Sequence, residues 1–168
     1  MGCQGQTAVA DGVLISSDGY SSYMYAFAKG ETTTTVNAPL TYVPQGSRVL
    51  ISGTVMDQSP AQPNTPAISD EDMTAWMEHL HMQQPLPDGT STYQFYPKGT
   101  PTTFSGKGVE VKLTAIDSKG NSQDIGTATS DASGYYSISW TPPTADKYTI
   151  MANFEGTKSY YPSYAETA

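Results

Sequence analysis

Residues 108–156, GVEVKLTAIDSKGNSQDIGTATSDASGYYSISWTPPTADKYTIMANFEG, decide the fold. Val109, Val111, Leu113 and Ala115 alternate with Glu110, Lys112 and Thr114, which puts the apolar set on one face of an extended chain. Asp117-Ser118-Lys119-Gly120-Asn121 reads as a turn into a more polar strand over residues 123–129, and Asp131-Ala132-Ser133-Gly134 as the next turn. Tyr136, Ile138 and Trp140 then share a face, Pro142 and Pro143 end that strand, and Tyr148, Ile150, Ala152 and Phe154 repeat the alternation. Period-two patterning bounded by Gly, Pro and Asp turns predicts four consecutive half-buried antiparallel strands of a sandwich.

Working outward, residues 48–56 alternate in the same way, with Val49, Ile51 and Val55 on one face and Gly53 where a backbone approaches closely or a bulge forms. Residues 31–45 are Thr- and Pro-rich and read as a linker passing into an edge strand, and residues 159–165 as a closing strand that Pro162 places at an edge. Towards the N-terminus, residues 12–16 and 22–28 form a predicted hairpin about the Asp18-Gly19 turn. An isolated hairpin is marginal in water, so this one must lean on something else.

Only 37% of the residues are hydrophobic and 14% charged, while Gly, Pro, Ser, Thr and Tyr abound, which favours β-structure rich in turns over a helical bundle. Eight basic residues against 16 acidic ones give a formal charge of −8, and binding a phosphate backbone needs clustered Lys or Arg, so nucleic acid is not the expected partner. Cys3 is the only cysteine, so no internal disulfide forms and the fold must rest on its core. No apolar run approaches the ~20 residues of a membrane-spanning helix, so membrane insertion is not expected. Met1-Gly2-Cys3 is not preceded by the apolar segment of a lipoprotein signal, and an export signal would lie in sequence beyond this chain.

Residues 57–107 interrupt the β-pattern. Pro60, Pro63 and Pro66 mark a loop, and Ser69-Asp70-Glu71-Asp72 then reads as a helix start, Ser69 capping free amides and the acids complementing the dipole. Met73, Trp76, Met77, Leu80 and Gln84 fall on one face of a helix expected at about residues 70–84, which Pro85 ends. His79 and His81 lie roughly 200° apart on such a helix and do not share an ion. Asp117, Asp124 and Asp131 sit near strand ends, and turn chemistry accounts for Asp117 and Asp131 without calcium. No Ser/His/Asp arrangement and no Gly-rich loop before a helix is present, so neither catalytic residues, a metal nor a cofactor is expected.

Two resemblances follow from these stretches. The run Ala10-Asp11-Gly12, the apolar strand after it, Asp18-Gly19 and Tyr25-Ala26-Phe27 resembles the repeat of pyrroloquinoline-quinone-type β-propellers, over residues 8–30 and in one copy. That resemblance implies the middle of one blade and carries no quinone site, which needs several blades. The runs TTTTV (32–36) and VPQGSRVLISGTV (43–55), and later GTATSDASGYYSISWTPPTADKYTIMANFEGTKSYYPSYAET (126–167), resemble the opening and closing strands of bacterial and archaeal immunoglobulin-like surface repeats. The combination resembles large archaeal cell-surface proteins in which a propeller precedes such a module.

The expected fold is therefore mainly β: a propeller-type β-hairpin over residues 1–31, then an immunoglobulin-like antiparallel β-sandwich over 32–168 with a short helical insertion at about 57–107. The expected function is a non-catalytic structural or adhesion module, extracellular or on the cell surface, that joins its own copies or other surface proteins by sheet-edge or strand-exchange contacts. Its assembly hairpin would present Val13, Ile15, Tyr23, Tyr25 and Phe27. The candidate contact surface is Trp76, Met73, Met77, Tyr93, Tyr96, Tyr160 and Tyr161, since exposed Trp, Met and Tyr mark recognition faces; for the Met73-Trp76-Met77 stripe the favoured reading is that it covers one end of the core, because a helix needs its apolar face buried. Two other readings stand beside it: a carbohydrate-binding module stacking sugars on Trp76 or exposed tyrosines, and an accessory fragment of a quinoprotein-like propeller.

Overall fold

The computed structural model describes residues 7–11, 13–17, 23–39, 41–60, 63–82 and 105–167, with no side chains for residues 78–82. In chain order the elements are β1 (Thr7–Ala10), β2 (Val13–Ser17), β3 (Met24–Phe27), β4 (Thr32–Thr34), β5 (Val49–Asp57), β6 (Thr65–Pro66), α1 (Met73–Met82), β7 (Lys107–Ile116), β8 (Ser122–Asp131), β9 (Tyr135–Trp140), β10 (Thr149–Phe154) and β11 (Ser163–Glu166). Every named strand pairing is antiparallel. Tyr93 and Tyr96 lie outside the described residues.

The four strands expected in residues 108–156 are all present, but they are divided between two sheets. One sheet runs β11-β10-β7-β8; in the other, β4 pairs one side of β5, while β9 and β6 pair the other. The chain thus crosses between sheets after β6, after β8 and again after β9. The inner faces meet in one core: Ile51, Val55, Tyr136 and Trp140 from the β5 sheet face Val111, Leu113, Ala115, Ile150, Ala152 and Phe154 from the β7 sheet. The alternation read from the sequence is the burial pattern of β7 and β10, and each fully buried Val, Leu or Phe contributes about 1.5–3 kcal/mol.

Small polar groups close the sandwich. The Thr32 hydroxyl lies 2.9 Å from the Tyr161 carbonyl and 2.8 Å from Ser163 Oγ, and Thr34 Oγ1 lies 2.7 Å from Ser163 Oγ, so the first and last strands of the sandwich meet through hydroxyls. At the opposite border β8 is an edge strand with two register shifts against β7, a Gly126 at φ 126° and Asp124 turned back to accept from the Gly126 amide. Bulges and a charge of this kind blunt an edge against pairing with another chain. Asp117 and Asp131 close the turns read from the sequence, Asp117 accepting from the Lys119 and Asn121 amides and Asp131 from those of Ser133 and Tyr135.

The hairpin expected near the N-terminus is a three-stranded meander in order β1-β2-β3. Ala10 pairs with Val13, so Asp11 and Gly12 alone connect β1 to β2, with Asp11 at φ 50°. An Asp-Gly pair between apolar runs suits the tight turn that needs positive φ. β1, which precedes Gly12, is the strand that the expected hairpin lacks.

Candidate interaction surface

Residues opposite each other across the meander share a face. Val9, Leu14 and Phe27 line up on one side, joined by Thr7, Ser16 and Tyr25; Ala8, Ile15 and Ala26 line up on the other, joined by Ala10, Val13, Ser17 and Met24. Both faces are therefore apolar, and no strand of the meander carries a charge. Among the described residues nothing covers either face: Val9 and Met24 are each 74% exposed, Tyr23 67%, and Leu14, Ile15 and Phe27 are also exposed. Val13 and Tyr25 are half-buried, the Tyr25 and Phe27 rings stacking with centroids 6.3 Å apart. A sheet apolar on both sides is one that proteins normally enclose between two layers. Its outer strands β1 and β3 also carry no bulge, proline or charge, in contrast to the blunted edge of β8.

Lys29 and Gly30 tie the meander to one pole of the sandwich. Gly30 donates to the Ser159 carbonyl and accepts from the Tyr161 amide, both at 2.8 Å. A Cβ there would lie 2.5 Å from Ser59 Oγ and 3.1 Å from both Asp57 Oδ1 and the Tyr160 ring, so only glycine lets the strand seat this closely. Lys29 Nζ donates to the Thr157 carbonyl at 2.7 Å and stands 5.9 Å over the Tyr161 ring. Of the adjacent tyrosines, Tyr160 is 3% exposed and part of the core, whereas Tyr161 is exposed. Burial, reinforced by the Asp57 carboxylate, pushes the Tyr160 phenol up to about 12.

The run before α1 leads into the helix with Ser69 capping the Asp72 amide, but its acids bind partners far along the chain. The helix carries no acid in its first turn. Ser69 accepts from the Asp72 amide through both its carbonyl and its hydroxyl, so residues 69–72 form a turn and α1 begins at Met73. Asp70 reaches the other way, taking the Lys158 amide and the Ser159 hydroxyl, and steadies the loop that holds Gly30. Asp72 is 2% exposed and binds the far end of the insertion, accepting from Ser105 N at 2.9 Å, Ser105 Oγ at 2.8 Å and Lys107 N at 3.2 Å. These are long-range ties, which local spacing does not display.

On α1, Ala75 is buried, Met73 packs against the core, Trp76 is half-buried and Met77 is exposed. The side chains of His79 and His81 lie outside the described residues. Among the described residues no three His, Cys, Asp or Glu side chains stand together as metal ligands, and no helix is long and apolar enough to cross a membrane.

Fold and surface together define the class: a two-sheet antiparallel β-sandwich bearing an uncovered apolar meander. No protein-family model and no curated protein matches the chain. Among solved structures it is similar to one described as "Crystal structure of tetra-tandem repeat in extending region of large adhesion protein", at 15% identity and a TM-score of 0.43, over 92% of this chain and 29% of that one.

Proposed function

We propose that this chain is a non-catalytic structural and adhesive module of the cell surface or extracellular matrix, which joins copies of itself through its N-terminal meander. The observation that carries this reading is the uncovered meander, apolar on both faces and open at both edges, beside a sandwich whose own β8 edge is blunted. Extended sheets of this kind gain affinity by main-chain pairing along an edge and by burying apolar side chains on a face. The resemblance of residues 8–30 to a propeller blade supports the same reading, because a blade is a sheet packed between neighbouring sheets. On this proposal residues 32–168 form the immunoglobulin-like part, and Gly30, Lys29 and Asp70 hold the meander at its pole.

Sedimentation velocity over a range of concentrations tests it. The full chain is expected to associate as concentration rises, and a chain beginning at Glu31 to remain a folded monomer. A full chain that stays monomeric throughout would overturn the proposal.

A further inference from the structure

The pole opposite the meander carries a groove of about 690 Å³ between the loop that leads into β5 and the loop that joins β9 to β10. Its walls include Pro39, Tyr42, Val43, Pro44, Trp140 and Pro142. Trp140 is fixed there by an edge-to-face contact with Tyr148, ring centroids 5.0 Å apart, and the Tyr148 hydroxyl is held 2.8 Å from Thr144 Oγ1. Tyr42 stands fully in solvent and Val43 is also exposed. Two strands show that this groove and the meander occupy opposite ends. β5 begins at the groove with Val49 and ends at Asp57, beside Gly30; β10 starts at the groove with Ile150 and runs towards residues 157–161, which hold Lys29 and Gly30. Eight steps of a strand separate the two ends by roughly 26 Å.

We propose that the groove of one copy receives the apolar meander of the next, so that copies join head to tail. The inference rests on the self-association reading above and adds the surface that answers the meander. Charge argues for this occupant. The molecule carries −8 overall, so most ways of bringing two copies together oppose like charges. The meander strands carry no charge, and among the described residues the charged ones lining the groove are Asp146 and Lys147, which cancel. The two surfaces are thus neutral and apolar, and they sit at opposite ends of one acidic body. Contact between two different patches of identical chains is heterologous and extends into linear assemblies rather than closing as a two-fold dimer.

A complementation experiment separates this arrangement from any in which the meander pairs with itself. One full-length variant disables the meander with Val9→Glu and Met24→Glu, one change on each face; the other disables the groove with Tyr42→Glu and Val43→Glu. All four positions are exposed, and circular dichroism checks that each sandwich is folded; the same pairs changed to Ser replace any variant that is not. At concentrations where the unaltered chain assembles, each variant alone is expected to sediment as a monomer, at least tenfold weaker in association. Their equimolar mixture is expected to form dimers and nothing larger, because it holds one intact meander and one intact groove per pair. If the groove variant assembles like the unaltered chain, the head-to-tail contact is wrong while the meander's role stands. If both variants are monomeric and mixing restores nothing, the contact is also wrong. If the unaltered chain never associates, both this inference and the reading beneath it fall.

Discussion

Gly53→Ala is expected to destabilise the sandwich by about 3 kcal/mol or more, since it combines overpacking with a displaced buried hydrogen bond. Gly53 lies in the middle of β5, flanked on one side by the chain that continues from β4 through Thr35 and Asn37 and on the other by β9. A methyl group at this position would fall inside van der Waals contact of the Thr35 carbonyl and 2.6 Å from the Tyr136 hydroxyl. That hydroxyl donates to the same Thr35 carbonyl at 2.6 Å, and burial of the phenol raises its pKa well above the ordinary tyrosine value. The added methyl therefore opposes backbone on one side and the bonded phenol on the other, and neither is the free end of a flexible chain. In a chain of this size the loss corresponds to a melting point lower by about 6–12 °C. Tyr136→Phe, which removes only the hydrogen bond, is expected to cost about 1–1.5 kcal/mol. Thermal unfolding that places Gly53→Ala within 1 kcal/mol of the unaltered protein would show that β4 is not held against β5 here.

Asp72→Ala is the second large effect, expected at about 2 kcal/mol, because it removes the buried carboxylate that accepts from the amides of Ser105 and Lys107 and from the Ser105 hydroxyl at a part-buried site. Burial, the largest single influence on this carboxyl, pulls its pKa up. The hydrogen bonds from Ser105, Lys107 and the Gly106 amide together outweigh it and hold the group below the ordinary aspartate value of 3.8. A carboxyl depressed in the folded state contributes stability that is fully present above the unfolded value and is lost as pH falls through the folded one. The stability difference between the unaltered chain and Asp72→Ala should therefore be constant near neutral pH and shrink below about pH 4. Urea unfolding at pH 7 and pH 3 measures this. Equal differences at both values would mean that the carboxylate does not bind these donors. Asp117, Asp131 and Asp146 are depressed in the same direction, chiefly by side-chain hydrogen bonds from Asn121, Ser133 and Ser118 respectively, and add to acid lability in the same range.

What the sequence displays and what it hides divide along a physical line. Strands are legible where one face is buried, because burial imposes the alternation; Val109 to Ala115 and Ile150 to Phe154 announce themselves in this way. Their partners are not legible. Nothing local to Tyr135–Trp140 tells that β9 leaves β8 and pairs with β5, a choice made by packing across the core. Gly53 is legible as a close approach, since a glycine amid β-branched residues weakens a strand unless something needs the space. Asp70 and Asp72 are misleading for a definite reason: carboxylates before an apolar periodic run look like a helix start, yet their donors come from residues 105–107 and 158–159, far along the chain.

The surface follows the same division. Val13, Ile15, Tyr23, Tyr25 and Phe27 come from the local pattern, and the structure places Ile15, Tyr23 and Phe27 at the surface. Val9 escapes a two-strand reading, because β1 is recognisable only once Asp11-Gly12 is taken as the turn, while Leu14 and Met24 lie on the expected strands. The groove leaves no local trace at all. Pro39 and Tyr42 meet Trp140 and Pro142 only because both connecting loops end at the same pole.

Hydrogen exchange of the full chain at low and high protein concentration tests the central claim most directly. Among the described residues, none covers either face of the meander or pairs its outer edges, and on this account the missing layer comes from another copy. Amides within residues 7–27 are expected to gain protection as concentration rises, while those of β7 and β10, already inside the sandwich, stay unchanged. Protection of residues 7–27 that does not depend on concentration would contradict the account.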